Sequence, residues 1–564
     1  MAYLDSKFLF FTTSPRSPAK MIPEIDLLIR NFSGQAWNSE TQIAFIDALA
    51  ASDFFEGAGS PKDKAFSARD RINRAPKALG FVNLSPAIEL TDAGKAFISG
   101  KRPHEVFLRQ LLKFQLPSPY HVEKDAIKGS FFIRPYLEIL RLIRELGYLS
   151  FDELKVFAVQ LTDYRKFDRV KKKILEFRQN KEKNKGTYKK FLDEIWTASI
   201  VECYRATIEQ GKTKTRQTSD SSLKKFIFTK KSNHRDYADA CFRYLRYTEL
   251  ISIEHKNRKL QFYPDKIKEV DFILKTVNRS PVFVADEVQY KKHLFSASAP
   301  TLFYDIGKNV VDSVMRIGNL TKRELAGMSV DELKDLLDKI IQKKKTNVIN
   351  ARIQRIKSYS LYSEIMDTYN EIISDGLYDA PLMLEYNTWR AMTMLDGGEI
   401  KGNLRFDDAG EPLSTAQGNM PDIECDYGDF VLSVEVTMQN GQRQYETEGE
   451  PVARHYGQMK QRTGKDAYCL FVAPTINPAA LVHFYGLNRL DNYYYGGKTK
   501  IIPLELEQFM KLLNSSYNYS GHPQPKDVKS FLDSVIDKIN ESENENDWCD
   551  KIQECVDFWL VSGA

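Results

Sequence analysis

The chain has 564 residues, of which 42% are hydrophobic and 28% charged, with a formal net charge of +5. That balance suits a globular protein of roughly two to four domains. No apolar stretch approaches the ~20 residues of a membrane span, and the opening MAYLDSKFLFFTTS, with an early acid and a short apolar run, does not read as a signal peptide.

The six cysteines, Cys203, Cys241, Cys425, Cys469, Cys549 and Cys555, are scattered and form no CxxC pair. Neither a disulfide framework nor a zinc site is expected, and a reducing, cytoplasmic location follows. The small net charge hides a split. Residues 1–300 hold 53 Lys and Arg against 36 Asp and Glu, a net of +17, whereas residues 301–564 hold 28 against 40, a net of −12. A basic front half points to a polyanion such as nucleic acid. The competing reading is a solvated Lys-rich surface. The acidic rear half does not read as a charge clamp for DNA but is compatible with carboxylates holding a cation.

In chain order, FSARDRINRAPKALGF predicts a helix carrying Arg69, Arg71, Arg74 and Lys77, ending near Gly80. Two short apolar strands follow. Thr91 or Asp92 then caps another helix. This helix–hairpin–helix order resembles a winged helix, and basic residues so close together would meet phosphates or base edges in a groove. Leu108, Leu111, Leu112 and Gln115 keep helical spacing up to a stop near Pro117. Gly147 breaks the next helical pair, and Ser150 with Glu153 forms a capping box. The Lys-rich stretch 165–191 is read as solvated. Residues 235–264 predict an amphipathic helix and a second two-stranded, winged-helix-like ending, with a turn near Lys256 and Asn257.

Residues 276–375 read as a helical connector, opened by a capping box from Ser329 to Glu332 and interrupted by a Lys/Asn-rich break. From about 376 the texture becomes mixed α/β. APLMLEYNTWRAMTML predicts a helix carrying Glu385, and DFVLSVEVTM, AYCLFVAP and KIIPLEL predict strands. The expected domains are therefore a recognition region over 1–275 (subdomains about 1–120 and 121–275), a linker over 276–375 and a third domain over 376–564.

Asp422 follows Pro421 at the start of a strand, and Glu435 lies within VLSVEVT. Even positions 432, 434, 436 and 438 are Leu, Val, Val and Met and are expected to pack inward, so odd positions would present Glu435 and Thr437 to a cleft. With Glu385 and Glu448, four carboxylates would converge and repel unless a hard divalent cation such as Mg²⁺ lay among them. One or two such ions can activate a water for attack on a phosphate. The order Asp, hairpin, Glu is what a phosphodiesterase of the restriction-nuclease type needs. The competing reading is a turn-forming Asp422 and an edge-strand or ion-paired Glu435.

The stretches SPRSP at 14–18, FSARDR at 66–71, FLRQLLKFQLPSPYH at 107–121, FRYLRYTEL at 242–250, PDIE at 421–424, VEVT at 434–437 and EGEPVARHY at 448–456, together with the Glu385 helix, occur in one order along the chain. In them the sequence resembles the Type IIS restriction endonucleases of the AlwI, PleI and MlyI group and their nicking relatives of the BstNBI kind. The resemblance implies a multidomain α+β protein from a prokaryotic cytoplasm. Winged-helix-like recognition modules and a helical linker would precede a C-terminal α/β cleavage domain of PD-(D/E)xK type. It implies a Mg²⁺-dependent enzyme that binds a short asymmetric double-stranded DNA site, of the GAGTC or GGATC kind with GAGTC preferred, and cuts a short distance outside it. Cutting both strands implies a transient homodimer through the cleavage domain. The alternatives are a strand-specific nickase of the same family and a non-catalytic sequence-specific DNA-binding protein.

The catalytic set carried over is Asp422, Glu435, Glu448 and His455. The metal set is Glu385, Asp422, Glu435 and the backbone carbonyl of Val436. Arg16, Arg69, Arg71 and Arg74 are the candidates for DNA contact, since Arg pairs bidentately with guanine. The usual lysine two residues beyond the strand glutamate is replaced by Thr437, which leaves its role to Glu448 or His455.

Overall fold

The computed structural model describes residues 2–4, 6–52, 54–55, 61–215, 219–395, 397–415 and 420–560. The chain divides into two compact units, Met1–Leu49 with Pro61–Leu337 and Ala50–Ser60 with Asp338–Ala564. The boundary falls inside the 276–375 segment expected as a linker. No helix among the described residues is long and apolar enough to cross a membrane.

In the first unit α1 (Lys64–Ile72) is capped by Asp63, whose side chain accepts from the Phe66 amide. The antiparallel strands β1 (Val82–Asn83) and β2 (Glu89–Leu90) follow, then α2 (Asp92–Ile98). Thr91 is the cap of α2, accepting from the Gly94 amide. Gly94 is required by close approach: a Cβ there would stand 2.1 Å from the Phe81 carbonyl oxygen. Beyond α3 (Pro103–Lys113) and α4 (Pro135–Leu146), Gly147 closes α4 at φ 80, a conformation glycine adopts without strain. Next come β3 (Leu149–Ser150) and α5 (Phe151–Val156), opened by the expected Ser150–Glu153 capping box. The long α6 (Leu223–Arg246) leads to β4 (Ile251–Glu254) and β5 (Lys259–Phe262). β5 is central in a three-stranded antiparallel sheet with β3 and β4.

The chain passes to the second unit through α7 (Val330–Lys357). The expected Lys/Asn-rich break does not occur, because QKKKTNVINARIQ holds no Gly or Pro and its polar residues cost a helix only tenths of a kcal/mol each. The first turns of α7 are anchored within the first unit. Asp305 accepts two bonds from the buried Arg109 guanidinium, both 2.7 Å, and one from Lys334 at 2.8 Å. Burial opposes the Asp305 charge, yet these two cations hold its carboxyl down to about 2.

The second unit is a three-layer α/β arrangement. Its elements are α8 (Tyr362–Ile373), α9 (Ala380–Met394), β6 (Glu399–Gly402), β7 (Ile423–Asp426), β8 (Phe430–Val436), α10 (Gln442–Thr463), β9 (Asp466–Ala473), α11 (Pro478–Arg489), β10 (Ile501–Glu505), α12 (Leu506–Asn518), α13 (Pro525–Glu541) and α14 (Glu545–Phe558). The sheet order is β10-β9-β8-β7-β6. β8 pairs antiparallel with β7 and parallel with β9. Parallel neighbours need crossover connections, which α10 and α11 supply. Phe430, Leu432 and Val434 pack with α8, α9, α12, α13 and α14, as the even-position pattern predicts. The odd face is not an open cleft wall. Val431 packs against Val452, Ala453 and Tyr456 of α10, so β8 is buried on both sides, as a central strand with helices on both sheet faces must be.

Removing the counter-ion of a buried pair costs most where the partner charges are left uncompensated. Asp305→Ala removes the carboxylate that Arg109 and Lys334 share, leaving Lys334 with Glu105 and Arg109 with the Ser298 and Pro300 carbonyls, and is expected to cost about 1–3 kcal/mol. A lowered denaturant midpoint for the first unit, with less loss in Asp305→Asn, is the measurement that checks it.

Candidate active site

β7 and β8 meet in a hairpin in which Ile423 lies opposite Val434. Continued by one residue, that register sets Asp422 across from Glu435. Ile423 and Cys425 join the same apolar cluster as Leu432 and Val434. Strand alternation therefore turns Asp422, Glu424 and Glu435 to the other face, beneath α10. Glu424 confirms that orientation through its ion pair with Arg462 of α10 at 2.7 Å.

Each acid is held by backbone. The Val436 amide donates to Asp422 Oδ2 at 2.8 Å, and the Asp422 amide bonds the Glu435 carboxylate. These bonds do not offset the environment. Burial and then the Glu435 charge push the Asp422 carboxyl well above its ordinary range, with Glu448 adding to the effect. Burial and then the Glu448 charge do the same to Glu435, whose residue is 7% exposed.

α10 brings three groups to this face. It starts at Gly441, whose φ of 58 with ψ of −155 is a region open essentially to glycine alone. Glu448 accepts from Thr437 Oγ1 at 2.9 Å. His455 Nδ1 lies 2.8 Å from Glu435 Oε1, and its Nε2 is buried without a hydrogen-bond partner. Burial first, then the Arg454 charge, lower the His455 ring to about 4. The imidazole is thus neutral at physiological pH. Arg454 pairs with Glu450 at 3.1 Å and its charge acts on Glu435.

The structure thus brings Asp422, Glu435, Glu448 and His455 together, with Val436 beside Asp422. Glu385 is buried on α9, which packs on the opposite sheet face, and is not among the strongest electrostatic neighbours of either acid of the pair. Arg454 was not foreseen from the sequence; its signal is adjacency to His455 in EGEPVARHY. Thr437 supplies a hydrogen bond to Glu448.

Among the described residues no three or more His, Cys, Asp and Glu side chains form a group arranged to hold a metal ion. The Asp422–Glu435 pair is a leaner set. Two carboxylates deprived of water and set against each other suit a hard divalent cation that completes its shell with waters and substrate phosphate, as Mg²⁺ does.

The candidate DNA contacts lie in the first unit. Arg71 is paired with Glu24, and Arg74 with Asp70 and Thr13. Arg69 donates to Gln42 at 2.8 Å. Arg16 is the most open, with a side chain 73% exposed and a long 3.5 Å contact to Asp239.

No curated protein matches this sequence. Two solved structures share parts of it. One is the small subunit of the heterodimeric restriction endonuclease R.BspD6I, 26% identical over 34% of this chain and 98% of that one, with a TM-score of 0.29. The other is the BpuJ1 endonuclease binding domain in complex with pyrene- and phenanthrene-modified DNA, 16% identical over 49% of this chain and 89% of that one, with a TM-score of 0.32. The profile of the AlwI restriction endonucleases matches residues 77–512. That match runs over well more than half of the sequence and takes in the acid pair, α10 and the first unit from residue 77 onward, and so the chain belongs to the AlwI restriction endonuclease family.

Proposed function

We propose that this protein is a Mg²⁺-dependent Type IIS enzyme that binds a short asymmetric double-stranded DNA site and hydrolyses phosphodiester bonds a short distance outside it. The observation that carries the reading is the register that faces Asp422 with Glu435 beneath Glu448 and His455. Asp422, Glu435 and the Val436 carbonyl would hold the cation; Glu385, on α9 at the opposite sheet face, stands outside this set. A divalent cation held by these groups would supply activation of a water and neutralisation of charge on the phosphate. Glu448, fixed by Thr437, accepts the proton of the attacking water. His455 is a positioning residue: with Glu435 ionised, its Nδ1 carries the ring proton and holds that carboxylate in one orientation.

Residues 1–275 serve as the recognition region, with two winged-helix-like modules built on α1–α2 and on α6–β5. Residues 276–375 link it to a cleavage domain of PD-(D/E)xK type over 376–564. Arg16, being exposed, is the first candidate for a base contact, followed by Arg69; Arg71 and Arg74 must loosen internal pairs to reach DNA. One acid cluster per chain cuts one strand at a time, so double-strand cleavage calls for a second copy on the DNA.

Supercoiled plasmid incubated with Mg²⁺ should give discrete linear fragments. Glu435→Ala should slow this by about a thousandfold or more, since several kcal/mol of transition-state stabilisation is lost, and EDTA should abolish it. Open circles alone would point to a nickase, and intact plasmid with tight site binding to a non-catalytic DNA-binding protein.

The raised carboxyls also make a stability prediction. A folded pKa above the unfolded one gives stability that is present at low pH and is lost as pH climbs through the folded value. The metal-free protein should therefore melt at lower temperature as pH rises above the ordinary carboxylate range near 4. Mg²⁺ should recover the loss. Asp422→Asn with Glu435→Gln should flatten both responses in a thermal melt series; an unchanged slope would contradict the assignment.

A further inference from the structure

A groove of about 690 Å³ with no role in the reading above is lined by Arg454, whose charge acts on Glu435 of the acid pair. On one side it is lined by Arg454, Gln458 and Gln461 of α10. Their spacing of four and three places them on one helical stripe. Tyr493, Tyr494 and Tyr495 of the loop between α11 and β10 line the rest. The groove opens one residue from His455, which contacts Glu435.

The tyrosine loop is built to a set shape. Lys460 Nζ donates to the Gly496 carbonyl at 2.7 Å. The Gly497 amide bonds the Asn492 carbonyl at 2.8 Å. Gly457 of α10 has no side chain, and a Cβ there would stand 3.1 Å from Tyr495 Cα. With the loop so fastened, Tyr493 is fully exposed at 101% and Tyr494 at 67%. Two adjacent aromatic rings held in solvent contribute nothing to a core. The backbone that carries them is arranged in advance, so binding does not have to order it.

The chemistry of the lining selects an occupant. One guanidinium and two carboxamides offer donors to phosphate and sugar oxygens. Exposed tyrosine faces stack on bases of any sequence. Asp491 also borders the groove and offsets Arg454, so the grip rests on stacking and hydrogen bonds more than on charge. Arg454 acts on Glu435 and lines the groove, so a strand whose phosphodiester lies at Asp422 and Glu435 can continue past Arg454 into it. We propose that this groove holds the DNA strand beside the scissile phosphate, with Tyr493 and Tyr494 against a flanking nucleotide and Arg454 and Gln458 on its backbone. The inference rests on the nuclease reading of the acid pair and adds the surface that positions its substrate.

The test pairs cleavage with direct contact. Tyr493→Ala with Tyr494→Ala, both at exposed positions, is compared with the two Tyr→Phe changes, which keep the rings. Cleavage of a duplex containing the site is followed together with metal-free site binding, and 5-iododeoxyuridine placed in turn at nucleotides flanking the cut serves as photo-crosslinker. The alanine pair should cut at least about tenfold more slowly, the equivalent of one lost base–aromatic stack. Site binding should be unchanged, the phenylalanine pair should stay near wild type, and crosslinks to the 491–497 loop should appear only with the rings present. An alanine pair that cuts at wild-type rate, or crosslinks that never reach this loop, overturns the proposal. Loss of self-association in the alanine pair without any crosslink to DNA overturns it in favour of a second copy in the groove. If the wild-type protein cuts nothing, the nuclease reading fails, and the crosslinks still decide whether DNA enters the groove.

Discussion

The second unit depends on one register. Pairing of Ile423 with Val434 places Asp422 opposite Glu435 and turns both to the α10 side of the sheet. A slip of one residue would send both acids into the apolar cluster on the other face. The hydrophobic alternation of Phe430, Leu432 and Val434 therefore determines not only how the sheet packs but where its charges stand. Burial of the pair raises both carboxyls well above their ordinary range, which is the electrostatic condition a cation relieves.

α10 completes that site. Thr437 uses its hydroxyl to hold Glu448. His455, bonded to Glu435, is kept neutral by burial, and Arg454, whose charge acts on Glu435, also pairs with Glu450. The side chains of α10 orient the carboxylates.

The first unit uses its basic excess in two ways. Some cations serve the fold: Arg109 and Lys334 are buried around Asp305, and Arg71 pairs with the buried Glu24. Others, Arg16 among them, stand in solvent. Because Arg71 and Arg74 pair internally, counting arginines in one stretch overstates what a DNA groove would meet.

Local features were legible in the sequence because they are decided locally. The Thr91 cap, the Ser150–Glu153 box, the Gly147 stop, the two short hairpins after helices and the three strands beginning DFVLS, AYCLF and KIIPL all depend on residues within a turn or a strand of one another. The same is true of Asp422 and Glu435 as a pair, since a hairpin brings them together. The continuity of α7 through its Lys- and Asn-rich middle was misread because those residues are weak helix breakers whose cost is met elsewhere. Which layer each acid faces, that α10 covers the odd face of β8, that Glu385 sits across the sheet, and that Arg71 and Arg74 are engaged internally were decided only by the tertiary structure. Each depends on contacts between segments far apart in the chain, and no local spacing in the sequence encodes the partner that arrives from elsewhere.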